Sequence, residues 1–545
     1  MDLLGDSLEA PADSGNFAYA IMFWQGVGQL FPWNAFITAA AYFGSRFCKT
    51  DMANDFENYF SISFTCFQTA GLAFSVLYGN RFSLHDKIVY PLICYSSLFA
   101  LTTALVLVED INGYVLFWVT FLSSSANGLA GAILSAGLFS LGGCLPPKYT
   151  AALMSGQGLA GLSVAVAGIV TQAAAPMAPG YCETTSNADD SEGTKCSVYS
   201  ISYSALSYFL IATIVLGSCA VLFFVLVKLP FTEWHTRLAG VNIYQMDEEK
   251  FPNIEQPLLA GLDTPVGRKL PAGMIQSEAF NRLSIDDDDD DDINDGDHFG
   301  NEEKGTRVRN PLGTGDGGGN GEDDDIRSPG GITSFKDSRL QSSSGETADA
   351  GSVEKSLGII SVSEVMRILS IIKIPAATVF LVFVTTISLF PATIVFLRSE
   401  HHCQTGERFF NDLFVPFFFV LFNLGDFLGR LIAGHFSPIF KPTNVWLGGL
   451  LRIAYIPLFL LCNVANSQLP VVFAADAWPI FLMITFALSN GYVASTCMQM
   501  GPALVPSGDA PLAGTIMIFC LTAGLMGGAA MSFPVTAISQ GSVGE

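Results

Sequence analysis

Eleven apolar runs, each long enough to cross roughly 30 Å of hydrocarbon, constrain this chain more than any other feature. They fall near residues 17–43, 59–80, 88–108, 113–145, 149–176, 199–228, 368–398, 410–436, 443–464, 473–503 and 511–535. In lipid an unpaired backbone amide costs several kcal/mol, so each run must close its own hydrogen bonds as a helix. The expected fold class is therefore an all-α polytopic membrane protein of about eleven transmembrane helices, six before a polar insert and five after it.

Only 14% of the 545 residues are charged, against about 25% in a soluble domain. The net charge of −23 is concentrated: residues 231–365 carry 28 acidic and 12 basic side chains. That stretch includes the unbroken run Asp286–Asp292 and the glycine-rich tract Gly313–Asp325. Such composition buries too little apolar surface to fold. The expected organisation is an N-terminal tail at 1–16, helices one to six at 17–230, a disordered acidic loop at 231–366, helices seven to eleven at 367–536, and a tail at 537–545. The first sixteen residues lack a basic n-region, so 17–43 reads as a retained span, not a cleaved signal.

Lys and Arg in short loops set orientation. A cytoplasmic N-terminus puts Arg81, Lys87, Lys148, Lys228, Arg237, Arg367, Lys373 and Lys441 inside, and Arg46, Lys49, Lys195, Arg398 and Arg408 outside. The tail after Pro534 is then exoplasmic. Cys48, Cys182, Cys196 and Cys403 also fall on that oxidising side, where disulfides persist. Cys182–Cys196 and, more weakly, Cys48–Cys403 are the expected pairs. The eleven cysteines follow no repeated metal-ligand spacing.

Asp426 and Arg430 lie one helical turn apart inside an otherwise apolar run. An ionised side chain at bilayer depth costs at least about 2.5–3.5 kcal/mol, and i,i+4 spacing lets each offset the other. Such a pair marks a substrate path or a moving contact. Gln157, in the glycine-rich "GQGLAG" of Gly156–Gly161, wants amide partners; cavity lining and a helix–helix hydrogen bond both fit. That segment lacks the strand and βαβ context of a dinucleotide site; its small residues suit close helix packing. Pro32 interrupts the first span beside Trp33 and Asn34, whereas Pro391 and Gly501–Pro502 break spans seven and ten. Broken helices recur around transporter sites, and Trp33 lies too deep for an interfacial belt. No nucleophile–base constellation and no Walker motif is present, which disfavours an enzyme or an ATP-driven pump.

"PWNAFITAAAYF" (Pro32–Phe43), "SGQGLAG" (Ser155–Gly161), "FNLGDFLGR" (Phe422–Arg430) and "GYVASTCMQMGP" (Gly491–Pro502) resemble signatures of the equilibrative nucleoside transporter family. The resemblance implies a major-facilitator-like arrangement of six plus five helices around a central cavity. It implies movement of nucleosides, and of nucleobases in some members, by alternating access, facilitative or proton-coupled, in a lipid bilayer. It further implies that Trp33 contacts the base or ribose with Leu30 nearby, that Gln157 bonds the base edge, and that Asp426 and Arg430 engage the ribose hydroxyls. Asn423 and Phe419 lie about two and three turns before Arg430 on the same helix. No cofactor, metal or nucleic acid is implied, and the expected unit is a monomer. Ala35 and Gly425 are smaller than the family's usual residues, so purine versus pyrimidine preference does not carry over.

Two alternatives are a non-transporting receptor or scaffold acting through the acidic loop, and a transporter of another small organic solute. The expected location is the plasma membrane. "EQPLL" (Glu255–Leu259) resembles a shortened acidic dileucine signal, which keeps an endolysosomal membrane open.

Overall fold

The computed structural model describes residues 10–47, 50–52, 56–108, 111–174, 176–177, 182, 203–241, 243, 360–404, 406–436 and 438–540. Within them the regular structure is helical, with two isolated β-bridges, Leu397–Val464 and Cys462–Phe473. The helices are α1 Phe17–Thr38, α2 Ala40–Phe47, α3 Phe56–Tyr78, α4 Leu84–Val106, α5 Gly113–Cys144, α6 Pro147–Ala174, α7 Tyr203–Val227 and α8 Pro230–Leu238. After the insert come α9 Val362–Leu389, α10 Phe414–His435, α11 Trp446–Arg452, α12 Tyr455–Leu460, α13 Ala477–Ala503 and α14 Ala510–Gln540.

Among the described residues nine helices are long and apolar enough to cross a membrane: α3 to α7, α9, α10, α13 and α14. Two expected runs look different. The run at 17–43 is α1 and then α2, separated at Ala39. Gln25, Gln29 and Asn34 make α1 less apolar than a lipid-facing span, and Gln25 Nε2 donates to the Cys219 carbonyl of α7 at 2.7 Å. The run at 443–464 is the short pair α11 and α12. Pro32 does not interrupt its span; α1 continues through it to Thr38. The break expected at Pro391 is real, because α9 stops at Leu389. Pro502 lies in the last turn of α13 and ends it.

Local signals start several helices. The Asp13 carboxylate accepts the amides of Ala18 and Tyr19 at 3.0 and 3.1 Å, meeting two of the four unpaired donors of α1. Ser83 and Asp86 form a reciprocal capping box on α4. The expected polar loop begins with helix: α8 opens on Pro230 and runs to Leu238. Most of the acidic insert, 244–359, lies outside the described residues.

Helices pack as α1 on α6, α3 on α5, α9 on α14 and α10 on α13, and α10 also lies on α6. That last crossing joins the segment before the insert to the one after it. Two glycines make such crossings possible. A Cβ at Gly156 would strike the Phe23 carbonyl of α1, and one at Gly491 the Asp426 carbonyl of α10.

At the end of α6 the two segments are tied. Arg408 donates through Nη1 to the Ala173 carbonyl and through Nη2 to the Gln172 carbonyl, both at 2.8 Å. Gln172 returns a bond to the Asp412 carbonyl at 2.8 Å. A disulfide joins Cys182 to Cys403 across 221 residues, with Cα atoms 5.4 Å apart. This corrects both expected pairings, Cys182–Cys196 and Cys48–Cys403, since each sulfur takes one partner. The loop carrying Cys403 folds over the end of α6, a closeness that sequence distance conceals. Cys48 and Cys196 lie outside the described residues.

Candidate functional site

The charged pair forms as its spacing requires. Arg430 Nε donates to Asp426 Oδ2 at 2.7 Å, and the two residues are each 6% exposed. At that burial neither charge survives without partners, and each has more than one. Asn490 of α13 donates to Asp426 Oδ1 at 2.6 Å. Arg430 Nη1 reaches the Met154 carbonyl at 3.0 Å and Gln157 Oε1 at 3.2 Å, both on α6.

Gln157 resolves as a helix–helix bridge. Its Oε1 accepts from Arg430, while its Nε2 donates to Gln29 Oε1 of α1 at 2.9 Å. The flanking glycines explain how one amide meets two helices. Gly156 lets α1 approach, and at Gly158 an added Cβ would lie 3.0 Å from Phe427 Cα of α10. Gln29 in turn donates to Ser135 Oγ of α5.

The network extends on the other side to a residue that the charge argument should have flagged. Arg452, 1% exposed at the end of α11, donates to the Phe486 carbonyl at 2.6 Å and to Ser489 Oγ. It also donates to Thr386 Oγ1 at 2.8 Å and Asn490 Oδ1 at 3.2 Å. Its guanidinium lies 4.5 Å from the Phe486 ring centroid, within cation–π range. A continuous hydrogen-bonded chain therefore runs Ser135–Gln29–Gln157–Arg430–Asp426–Asn490–Arg452 through α5, α1, α6, α10, α13 and α11. Sequence reasoning missed Gln29, Ser135, Asn490, Thr386 and Arg452. For Arg452 the signal was present: a cation inside the apolar run 443–464.

The remaining expected residues are placed around this chain. Trp33 is half-buried on α1, one turn after Gln29 and so on the same face. Its ring stacks on Phe64 of α3 at 4.0 Å and 20°, and no hydrogen bond or cation–π contact joins it to Arg430 or Asp426 among the described residues. Leu30 packs partly buried against the core. Asn423 donates to the Phe419 carbonyl at 2.8 Å, and its Oδ1 crowds Gly161 of α6. Phe419 meets Phe390, just past α9, at 4.8 Å. The polar core is thus Gln157, Asp426 and Arg430, with aromatic groups on neighbouring turns.

The nucleoside transporter family model matches residues 120–258 and 331–537. The chain belongs to that family. Equilibrative nucleoside transporter 1 of Homo sapiens is 29% identical over 560 residues, covering 97% of this chain and 98% of that protein. Equilibrative nucleoside transporter 2 of Homo sapiens is 26% identical, covering 96% and 98%. Equilibrative nucleoside transporter 3 of Rattus norvegicus is 25% identical, covering 97% and 91%. Among solved structures, the major facilitator superfamily proton:xylose symporter XylE aligns with a TM-score of 0.52 and 11% identity, covering 98% of this chain and 90% of that one. That likeness concerns the fold alone. This nucleoside transporter is an integral, multi-pass membrane protein with a nucleoside as its substrate. Its buried chain of polar groups belongs to a transporter and not to an enzyme.

Proposed function

We propose that nucleosides, and nucleobases with them, cross by alternating access at the junction of α1, α6, α10 and α13. A nucleoside is neutral, flat at one end and polyhydroxylated at the other, so it needs an aromatic slot and a few fixed polar groups. Trp33, Leu30 and Phe419 supply apolar surface; Gln157, Asn423, Asp426 and Arg430 supply the polar groups. One observation carries this reading: the only charged pair on α10 is also the bridge between α6 and α13. Among the described residues Arg430 Nη2 has no hydrogen-bond partner and is not sealed in the interior, which leaves it a donor for a ribose hydroxyl. A ligand that draws Arg430 or Gln157 to itself loosens the α6–α10 contact and so couples binding to movement of the two segments.

The flux in this reading is facilitative or proton-coupled. The topology in this reading is eleven spans with a cytoplasmic N-terminus and an exoplasmic C-terminus. The unit is a monomer in the plasma membrane. The test is uptake of adenosine, uridine and hypoxanthine into proteoliposomes, with and without a pH gradient. Asp426→Asn and Arg430→Ala should each abolish uptake while the folded protein persists; normal flux in both would refute the site.

A further inference from the structure

Away from the polar chain, α3, α4 and α5 enclose a lateral cavity of about 460 Å³, within the size range of a ligand site. Phe74, Tyr90, Cys94, Leu129 and Ala130 line it, with Lys87 at one end. Phe74, Tyr90 and Leu129 are 44%, 63% and 41% exposed on the outer surface of the helical body, so the cavity opens towards lipid and away from the interior.

Its polarity is one-sided. Lys87 belongs to the first turn of α4, and Cys94 lies seven residues further along, roughly 10 Å by helix rise. The slot therefore runs from one hydrocarbon boundary towards the bilayer midplane, about two thirds of the depth of one leaflet's hydrocarbon. At its outer end a Cβ at Gly137 of α5 would lie 3.0 Å from Lys87 Cβ, and one at Gly79 would lie 3.5 Å from Lys87 Nζ. Asp86 also lines this end of the cavity, and its carboxylate is engaged within its own turn, accepting from the Ser83 amide and meeting His85 Nδ1. Lys87 Nζ has no hydrogen-bond or ion-pair partner among the described residues. An uncommitted ammonium at headgroup level above an apolar slot is complementary to an anionic amphiphile.

We infer that this cavity holds one anionic phospholipid, its acyl chain between α3, α4 and α5 and its phosphate on Lys87. A single basic group near the surface favours an anionic lipid about fivefold. Purified full-length protein in nanodiscs of equal phosphatidylserine and phosphatidylcholine, released into native mass spectrometry, reads this directly. Wild type should retain one phosphatidylserine in about fivefold preference to phosphatidylcholine. Lys87→Gln should equalise the two, Lys87→Arg should restore the preference, and Cys94→Trp, which fills the slot, should remove the retained lipid. Equal retention of both lipids by wild type would overturn the proposal without any variant. So would a preference that survives Lys87→Gln, which would place the anion elsewhere.

Discussion

Asn490 Nδ2 lies 2.6 Å from Asp426 Oδ1, so the carboxylate of α10 is held from α13 as closely as by Arg430 on its own helix. The same asparagine accepts from Arg452 through Oδ1. Two guanidiniums and one carboxylate thus share a single bonded unit in the interior. Removing one member strands the others, which governs how substitutions there should behave.

Arg430→Met leaves Asp426 buried with Asn490 alone, a loss of about 3–5 kcal/mol. The double change Asp426→Asn with Arg430→Met should cost less than Arg430→Met by itself. Thermal melting of the purified variants measures this. Additive losses would mean the two charges act independently.

Arg452→Met removes donors to Phe486, Ser489, Thr386 and Asn490 at once. Asn490 is shared between Arg452 and Asp426, so the loss frees one anchor of the proposed site, and a fall in nucleoside uptake of about tenfold or more is expected, the scale on which such polar sites respond to misplacement. Arg452→Lys should not rescue it, since an ammonium cannot reproduce a planar fork of donors. Unchanged uptake in Arg452→Met would place the third charge outside the transport machinery.

Gly491→Ala should destabilise by about 1–3 kcal/mol, because its Cβ would strike the Asp426 carbonyl. Gly168→Ala meets nothing within 4 Å and should be neutral or slightly stabilising, as alanine is the better helix former. Paired melting curves distinguish close approach from a general intolerance of change in glycine-rich helices.

Peptide mapping without reductant should recover Cys182 linked to Cys403 and no Cys182–Cys196 product. Cys403→Ser should lower the melting temperature, since the lost crosslink closes a long loop, a class worth about 2–4 kcal/mol. A map with Cys182 free would contradict the bridge.

Burial, with Phe231 4.3 Å and Trp234 4.8 Å away by ring centroids, holds His235 of α8 below the ordinary imidazole range; its bond to the Phe231 carbonyl pulls the other way. The folded state thus favours the neutral ring. The stability this seating provides is full above about pH 6.5 and is lost as pH falls through that value towards the lowered folded one. Amide exchange over 230–241, corrected for intrinsic rates, should show less protection at pH 5.5 than at 7.5. Greater protection at pH 5.5 would reverse the sign.

Patterns along the chain were enough to define the helical class, the polar interruption and the pairing of Asp426 with Arg430, because lipid penalises every unpaired backbone group and every lone charge. The i,i+4 pair formed as its spacing required, since both residues ride one rigid helix. Motif order also carried the family, which the comparison with relatives bears out. What the linear order could not express was which helix meets which. Gln157 became a bridge only because Gly156 admits α1 and Gly158 admits α10. Arg452 joined the site only because α11 lies beside α13, and Cys182 found Cys403 only because a later loop covers the end of α6. Helix formation is local and written in composition, whereas the partners of a buried polar group are chosen by packing between segments hundreds of residues apart.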